Sequence, residues 1–182
     1  MQAALPGLFV DMDIVEIACG TGYWTQYIAS KARSIYASDI NREMLDFAAT
    51  KSYHPCQVSF MEMDVFNLPD PPRLFEGLFG GFIWSHLHKA TLPALLTQWK
   101  EWIEPGSPMV FLDNRYVPGS STPISRTDDL GNTYQMRTLD SGERFEVMKN
   151  FPAEDEMRNQ LEPIGWSVEW RAWEYYWMVV LR

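Results

Sequence analysis

Basic side chains are the scarce class in this sequence. Lys and Arg together number 15 against 24 Asp and Glu, a formal net charge of -9 at pH 7, and the few cations are scattered along the chain. That argues against nucleic acid as a partner, because holding a phosphate backbone calls for clustered Lys and Arg. Cysteine is nearly absent too: Cys19 and Cys56 do not make a disulfide framework, and a reducing cytoplasm fits such usage. No basic-then-apolar leader opens the chain, and no uninterrupted apolar run approaches about 18 residues, so neither secretion nor a membrane span is indicated. Repeats, low-complexity segments and heptads are missing as well.

What is there is a globular composition, 46% apolar, 21% charged and 14% aromatic, unlike that of a disordered chain. A length of 182 residues suits a single domain, 1–182, with a substantial core. The eight tryptophans are suited to core, to a stacking pocket for a flat substrate or to a partner surface, with core the plainest of the three.

The stretch around which the chain is organised is Ile14-Val-Glu-Ile-Ala-Cys-Gly-Thr-Gly22. Apolar β-branched residues run into two glycines, and a helical pattern resumes at Trp24, Tyr27 and Ile28, so the order is strand, turn, helix. Gly20 and Gly22 let a ligand lie close to the main chain at a helix start, and Glu16 just before them is placed to orient a polar or cationic group. A helix from about Trp24 to Ala32 leads to a second strand, Ser34 to Asp39. Asp39, at its carboxyl end, has the spacing from the glycines at which an acid accepts both ribose hydroxyls of a nucleotide; the plainer alternative is a cap for the helix opening at Asn41.

A third strand is expected over Gln57–Met61, followed by Asp64, an acid suited to accepting from an adenine amino group. The fourth covers Leu78–Trp84, ahead of Ser85, His86 and His88. A helix over Leu92–Ile103 stops at Pro105-Gly106, and the fifth strand, Met109–Asp113, is apolar enough for burial on both sides. Residues 114–132 read as a long polar loop, and 133–148 as an inserted hairpin. A helix begins near Phe151-Pro152, and two aromatic-rich strands, Trp166–Trp173 and Tyr175–Leu181, close the chain as an antiparallel pair at a sheet edge. Strand and helix therefore alternate from Ile14 to Asp113, the pattern of an α/β Rossmann-like doubly wound sheet, mostly parallel with an antiparallel C-terminal hairpin, binding ligands at the carboxyl ends of its strands.

On these residues the sequence resembles the class I S-adenosylmethionine-dependent methyltransferases, in particular the bacterial small-molecule type. Glu16 to Gly22 match that family's first motif, Asp39 its ribose-binding acid, Met63-Asp64-Val-Phe its adenine motif and Ile83-Trp84-Ser-His86 its fourth-strand motif. The resemblance implies S-adenosylmethionine as cofactor. Main chain at Ala18, Gly20 and Gly22 would then line its methionine portion, with Glu16 orienting the amino group. Asp39 would hold the ribose, Ile40 would pack beside the adenine, Asp64 and Val65 would bond the ring, and Trp84 and Ser85 would sit near the methionine end. Ala18 stands where many members have glycine. Residues 1–13 are fewer than the covering helices that usually precede strand one, so a shortened lid is expected.

The implied chemistry is in-line methyl transfer to a small-molecule acceptor, in which alignment supplies much of the acceleration. Should a general base be used, His86 is the first candidate, since an imidazole titrates near working pH; as a plainer alternative it packs or caps a helix. His88, Asn114, Arg115 and Tyr116 are candidates for acceptor recognition. No metal site is expected, because His86 and His88 lack a third ligand. Cys19 is not expected to act as a nucleophile, having no identified base. No Asn- or Asp-Pro-Pro-aromatic tetrad follows strand four, which again argues against a nucleic-acid acceptor, and a homodimer is compatible with the composition. Two other readings stay open. One is a nicotinamide-dependent oxidoreductase, although Thr25 stands where a dinucleotide fingerprint has its third glycine. The other is a non-catalytic module using the aromatic tail as a partner surface.

Overall fold

The run Ile14-Val-Glu-Ile folds as strand β1 (Asp13–Ile17), buried at every position after the first, in the computed structural model, which describes residues 1–182. Helix α1 (Tyr23–Ala29) follows the glycine turn and delivers the chain to β2 (Ser34–Asp39), which pairs parallel with β1 from Asp13↔Ser34 to Glu16↔Ala37. Helix α2 (Arg42–Ala49) starts where the Asn41 side chain accepts from the Glu43 amide, the expected behaviour of an N-cap residue. It leads to β3 (Gln57–Glu62). The chain then crosses to the other side of β1, where β4 (Gly77–Gly81) pairs parallel, followed by helix α3 (Leu92–Lys100) and β5 (Met109–Asn114).

An inserted sheet of three strands, β6 (Ile124–Thr127), β7 (Thr133–Thr138) and β8 (Arg144–Met148), precedes helix α4 (Glu154–Leu161). Finally β9 (Val168–Ala172) and β10 (Tyr176–Leu181) turn back antiparallel. The main sheet has seven strands in the order β3-β2-β1-β4-β5-β10-β9. Strand order reverses between β1 and β4, and a crevice opens at that point over the strand ends.

Alternate strand residues face opposite layers. Ile14 joins Ile28 of α1, Leu45 of α2, and Leu5 and Phe9 of the leading segment on one face. Val15 and Ile17 join Leu96 and Trp99 of α3 and Leu161 of α4 on the other. Each such large apolar side chain, fully buried, contributes roughly 1.5–3 kcal/mol against the entropy of ordering it. Two of the six aromatics of the tail, Trp166 and Trp177, are buried. Trp177 is fully buried with Trp170 stacked on it at 5.0 Å, and Trp166 is buried under the Lys100 ammonium, 4.6 Å from its ring centroid. No helix is long and apolar enough to cross a membrane.

Two sequence expectations are corrected. The fourth strand stops at Gly81, short of Trp84, because Phe82 turns into the left-handed region at φ 60° and the chain winds into a 3-10 turn, Trp84–His86. Residues 114–132 are not only loop: β6 lies among them and makes a three-stranded sheet of the expected hairpin. All four residues of β6 are exposed, so no inward apolar face signals the strand. Pairing to β7 and the Arg126–Glu146 ion pair at 2.7 Å hold it in place.

Candidate functional site

The turn after β1 is built on positive φ angles: Ala18 at 52°, Gly20 at 54° and Gly22 at 73°. At Gly22, the residue that opens α1, a Cβ would also run into the Tyr53 hydroxyl, so glycine is required there by conformation and by space. Ala18 holds the same conformation with a side chain, at a cost of about 1–2 kcal/mol. The turn is tied to the end of β2 from two sides. The Cys19 amide donates to the Ser38 carbonyl at 2.8 Å, and the Gly20 amide donates to Asp39 Oδ2 at 2.8 Å. Asp39 Oδ1 accepts from the Asn41 amide at 2.9 Å, so the carboxylate is oriented by main chain on both oxygens.

A cleft of about 370 Å³ lies over this turn at the switch point, bordered by Glu16, Ala18, Gly20, Trp24 and Phe82. Glu16 is the unusual member. It is 1% exposed, and its Oε2 has no hydrogen-bond partner. Burial pushes its carboxyl up to about 8, with the adjacent Thr25 hydroxyl pulling weakly the other way. A buried acid with an unused acceptor at the floor of a cleft favours a cationic or donor group above it. Cys19, in the same turn, has its thiol pushed far above the usual range by burial and by the nearby Glu16 and Asp39 carboxylates, which leaves it inert as a nucleophile.

Beyond Asp39 the rim turns apolar. Ile40 is 66% exposed and Phe66 55% exposed, apolar side chains next in sequence to Asp39 and close to Asp64 and suited to the faces of a flat ring. Asp64 accepts from the Phe66 amide through Oδ1 at 2.9 Å, and its other oxygen takes no donor from the chain. The Val65 carbonyl accepts from Trp99 Nε1 at 2.9 Å.

The cleft continues in the opposite direction. Tyr23, Trp24 and Phe82 also border a chamber of about 500 Å³ whose far wall is Trp173 and Tyr176. Met1 and Gln2 edge it, Gln2 Nε2 donating to the Tyr23 hydroxyl at 2.8 Å, so the leading segment supplies part of the cover. Tyr176, edge-on to Phe82 at 6.0 Å, is shared with a third, polar chamber of about 440 Å³ between the end of β5 and the inserted sheet. Asn114 and Arg115 border that chamber, as do Gln135, Arg137 and Lys149.

The expected residues around the fourth strand are placed differently. Trp84 turns its side chain into the opposite layer, 4% exposed against Phe111 and Trp177 at 5.0 and 5.6 Å, and so does not border the glycine-turn cleft. Ser85 is fully buried in a network: its amide donates to Asp113 Oδ2 at 2.9 Å, and Lys149 Nζ donates to Ser85 Oγ at 2.7 Å and Asp113 Oδ1 at 3.2 Å. His86 Nδ1 meets the Met148 carbonyl at 2.9 Å, which joins the 3-10 turn to β8. Crowding around its ring and the Lys149 ammonium move its pKa below the ordinary value, yet it borders none of the three chambers. His88 Nδ1 lies 3.0 Å from Asn132 Nδ2 and braces the loop ahead of β7. Tyr116 packs edge-on against Phe151 at 5.4 Å, outside the polar chamber. No three His, Cys, Asp or Glu side chains converge as a metal-ligating group. Gln135 and Arg137 lie on β7 of the inserted sheet and Lys149 directly follows β8, and no local motif marks which residues of an insertion face a cleft.

A family model described as a methyltransferase domain matches residues 14–106. The biotin biosynthesis bifunctional protein BioHC of Cellvibrio japonicus (strain Ueda107) is 28% identical over 104 residues, 56% of this chain and 20% of that protein. This chain therefore spans about a fifth of the length of the curated relative it matches. Among solved structures, the DhpI–SAH complex matches with a TM-score of 0.74 at 25% identity, over 93% of this chain and 76% of that one. The DhpI–SAM–HEP complex matches with a TM-score of 0.77 at 24% identity, over 93% and 78%.

Proposed function

The chain belongs to the methyltransferase-domain family, and from that membership we propose that it transfers a methyl group from S-adenosylmethionine to a small-molecule acceptor by in-line displacement. When bound, the cofactor supplies an electrophilic methyl group on a sulfonium sulfur. The observation that carries the reading is the unpartnered Oε2 of buried Glu16 beneath the glycine turn: an ammonium group completes it, as the methionine end of this cofactor would.

The residues of the chain divide the remaining work. Main chain at Ala18, Gly20 and Gly22 gives the methionine portion a close-fitting floor. Asp39, already oriented by two amides, offers its outward lone pairs to the ribose hydroxyls. Exposed Ile40 and Phe66 flank the adenine, whose amino group is matched by the free oxygen of Asp64. Tyr23, Trp24, Phe82 and Tyr176 wall the passage between the turn and the polar chamber, which excludes water and holds the acceptor in line; positioning of this kind supplies much of the acceleration in a displacement. Asn114 and Arg115 border the acceptor chamber. His88 and Tyr116 serve the scaffold beside it, and His86 is left as a bracing residue. The two cysteines, both buried and free, suit a reducing cytoplasm.

A thermal-shift comparison tests this reading against the nicotinamide alternative. S-adenosylhomocysteine is expected to raise the Tm in a saturable, concentration-dependent way while NAD and NADP do not. A shift with the nicotinamide cofactors alone would overturn it.

A further inference from the structure

The polar chamber is lined by cations in a protein whose net charge is -9. Arg115, Arg137 and Lys149 all border it, and no Asp or Glu does. Lys149, 6% exposed, is already committed to Asp113 and Ser85, so its charge is largely compensated. The two arginines are not. Each is exposed and neither takes part in an ion pair, whereas Arg33, Arg42, Arg73, Arg126, Arg158, Arg171 and Arg182 all face a carboxylate; Arg144, likewise unpaired, lies outside the chamber lining. Arg115 Nη1 donates to the Trp173 carbonyl at 2.6 Å, a contact that steadies the guanidinium without neutralising it. Hydroxyls of Ser120, Ser121 and Thr122 complete the lining on the loop side.

Two uncompensated guanidiniums, a polar wall without acids and a chamber of about 440 Å³ form a receptor for a small anion. Guanidinium binds carboxylate and phospho-oxygens through paired, charge-assisted hydrogen bonds that an ammonium cannot match in geometry. We propose that the methyl acceptor carries an anionic group, a carboxylate or a phosphoryl-type group, which Arg115 and Arg137 clamp in this chamber so that its nucleophilic atom points past Tyr176 toward the glycine turn. The inference rests on the methyltransferase reading. It goes further in assigning the charge of the acceptor and the residues that select it.

The test separates the two readings by loading the protein with S-adenosylhomocysteine first. Calorimetric titration of that ligand reports on the cofactor site. Titrations of benzoate, phenylphosphonate and neutral benzamide into the loaded protein then report on the chamber. At least one anion is expected to bind about tenfold or more tightly than benzamide, and Arg137→Gln to weaken it by about tenfold with the affinity for S-adenosylhomocysteine unchanged. Arg115→Gln is expected to act alike and Arg115→Lys to recover part of the loss. Arg137 has no partner within the chain, so its substitution leaves the fold intact and makes it the cleaner of the two. The better of benzoate and phenylphosphonate identifies the anion class. Equal binding of benzamide, or anion binding indifferent to both arginine substitutions, overturns the proposal while the cofactor site stands. Failure of S-adenosylhomocysteine to bind overturns the methyltransferase reading and this inference with it.

Discussion

The Gly20 amide donates to Asp39 Oδ2 at 2.8 Å, so the acid at the end of β2 is a structural anchor of the glycine turn as well as the residue proposed to hold the ribose. One substitution there removes both contributions. Asp39→Ala is expected to weaken S-adenosylhomocysteine at least about a hundredfold, because two charge-assisted bonds and the preorganised turn go together. Asp39→Asn keeps one acceptor and is expected to fall between. Calorimetric Kd values, read beside circular dichroism to confirm folding, check the order.

Glu16 sets the pH dependence. Its carboxyl is raised to about 8 by burial, so between the ordinary carboxylate value and 8 the unfolded chain has lost this proton while the folded chain still holds it. Stability without ligand therefore falls as pH rises through that window, and Glu16→Gln is expected to flatten the slope. A cationic ligand above Glu16 favours the carboxylate, so binding near pH 7 is expected to release a proton and to tighten toward pH 8. Calorimetry in buffers of different ionisation heat measures that proton. Glu16→Gln is expected to release none and to bind about tenfold more weakly.

Ala18 carries a side chain at φ 52°. Ala18→Gly is expected to stabilise the protein by up to about 1 kcal/mol, relief of left-handed strain outweighing the added freedom of the unfolded chain. Urea unfolding with an unchanged m-value checks this.

Asp113 is fully buried, with Lys149 as its one ion-pair partner. Lys149→Met is expected to cost roughly 3–5 kcal/mol by leaving a buried charge unpaired, and adding Asp113→Asn to recover much of the loss. Thermal unfolding of the two single variants and the double variant gives the coupling.

How much of the fold and site is legible in the sequence depends on the range of the forces involved. Strand β2 lies where its apolar alternation puts it, and β3 and β5 differ from expectation by a residue at one end; the apolar run of β5 marks a strand buried on both faces. Asn41 caps α2 as its residue type suggests. The sequence offers Asp39 as ribose acid or helix cap, and its bond to Gly20, nineteen residues away, joins the two motifs that flank the crevice. The motif position of Trp84 says where the main chain runs and nothing of which layer the ring enters; Phe111 and Trp177 decide that. The Lys149–Asp113 pair connects residues 36 positions apart, and no local signal announces it. Strand β6 was hidden because it has no buried face.

The most direct test is a calorimetric titration of S-adenosylhomocysteine into the wild-type chain and into Asp39→Ala. Saturable one-to-one binding that disappears in the folded variant is the expected result. No binding by the wild type, or equal binding by the variant, would contradict the assignment of the crevice between β1 and β4 as the cofactor site.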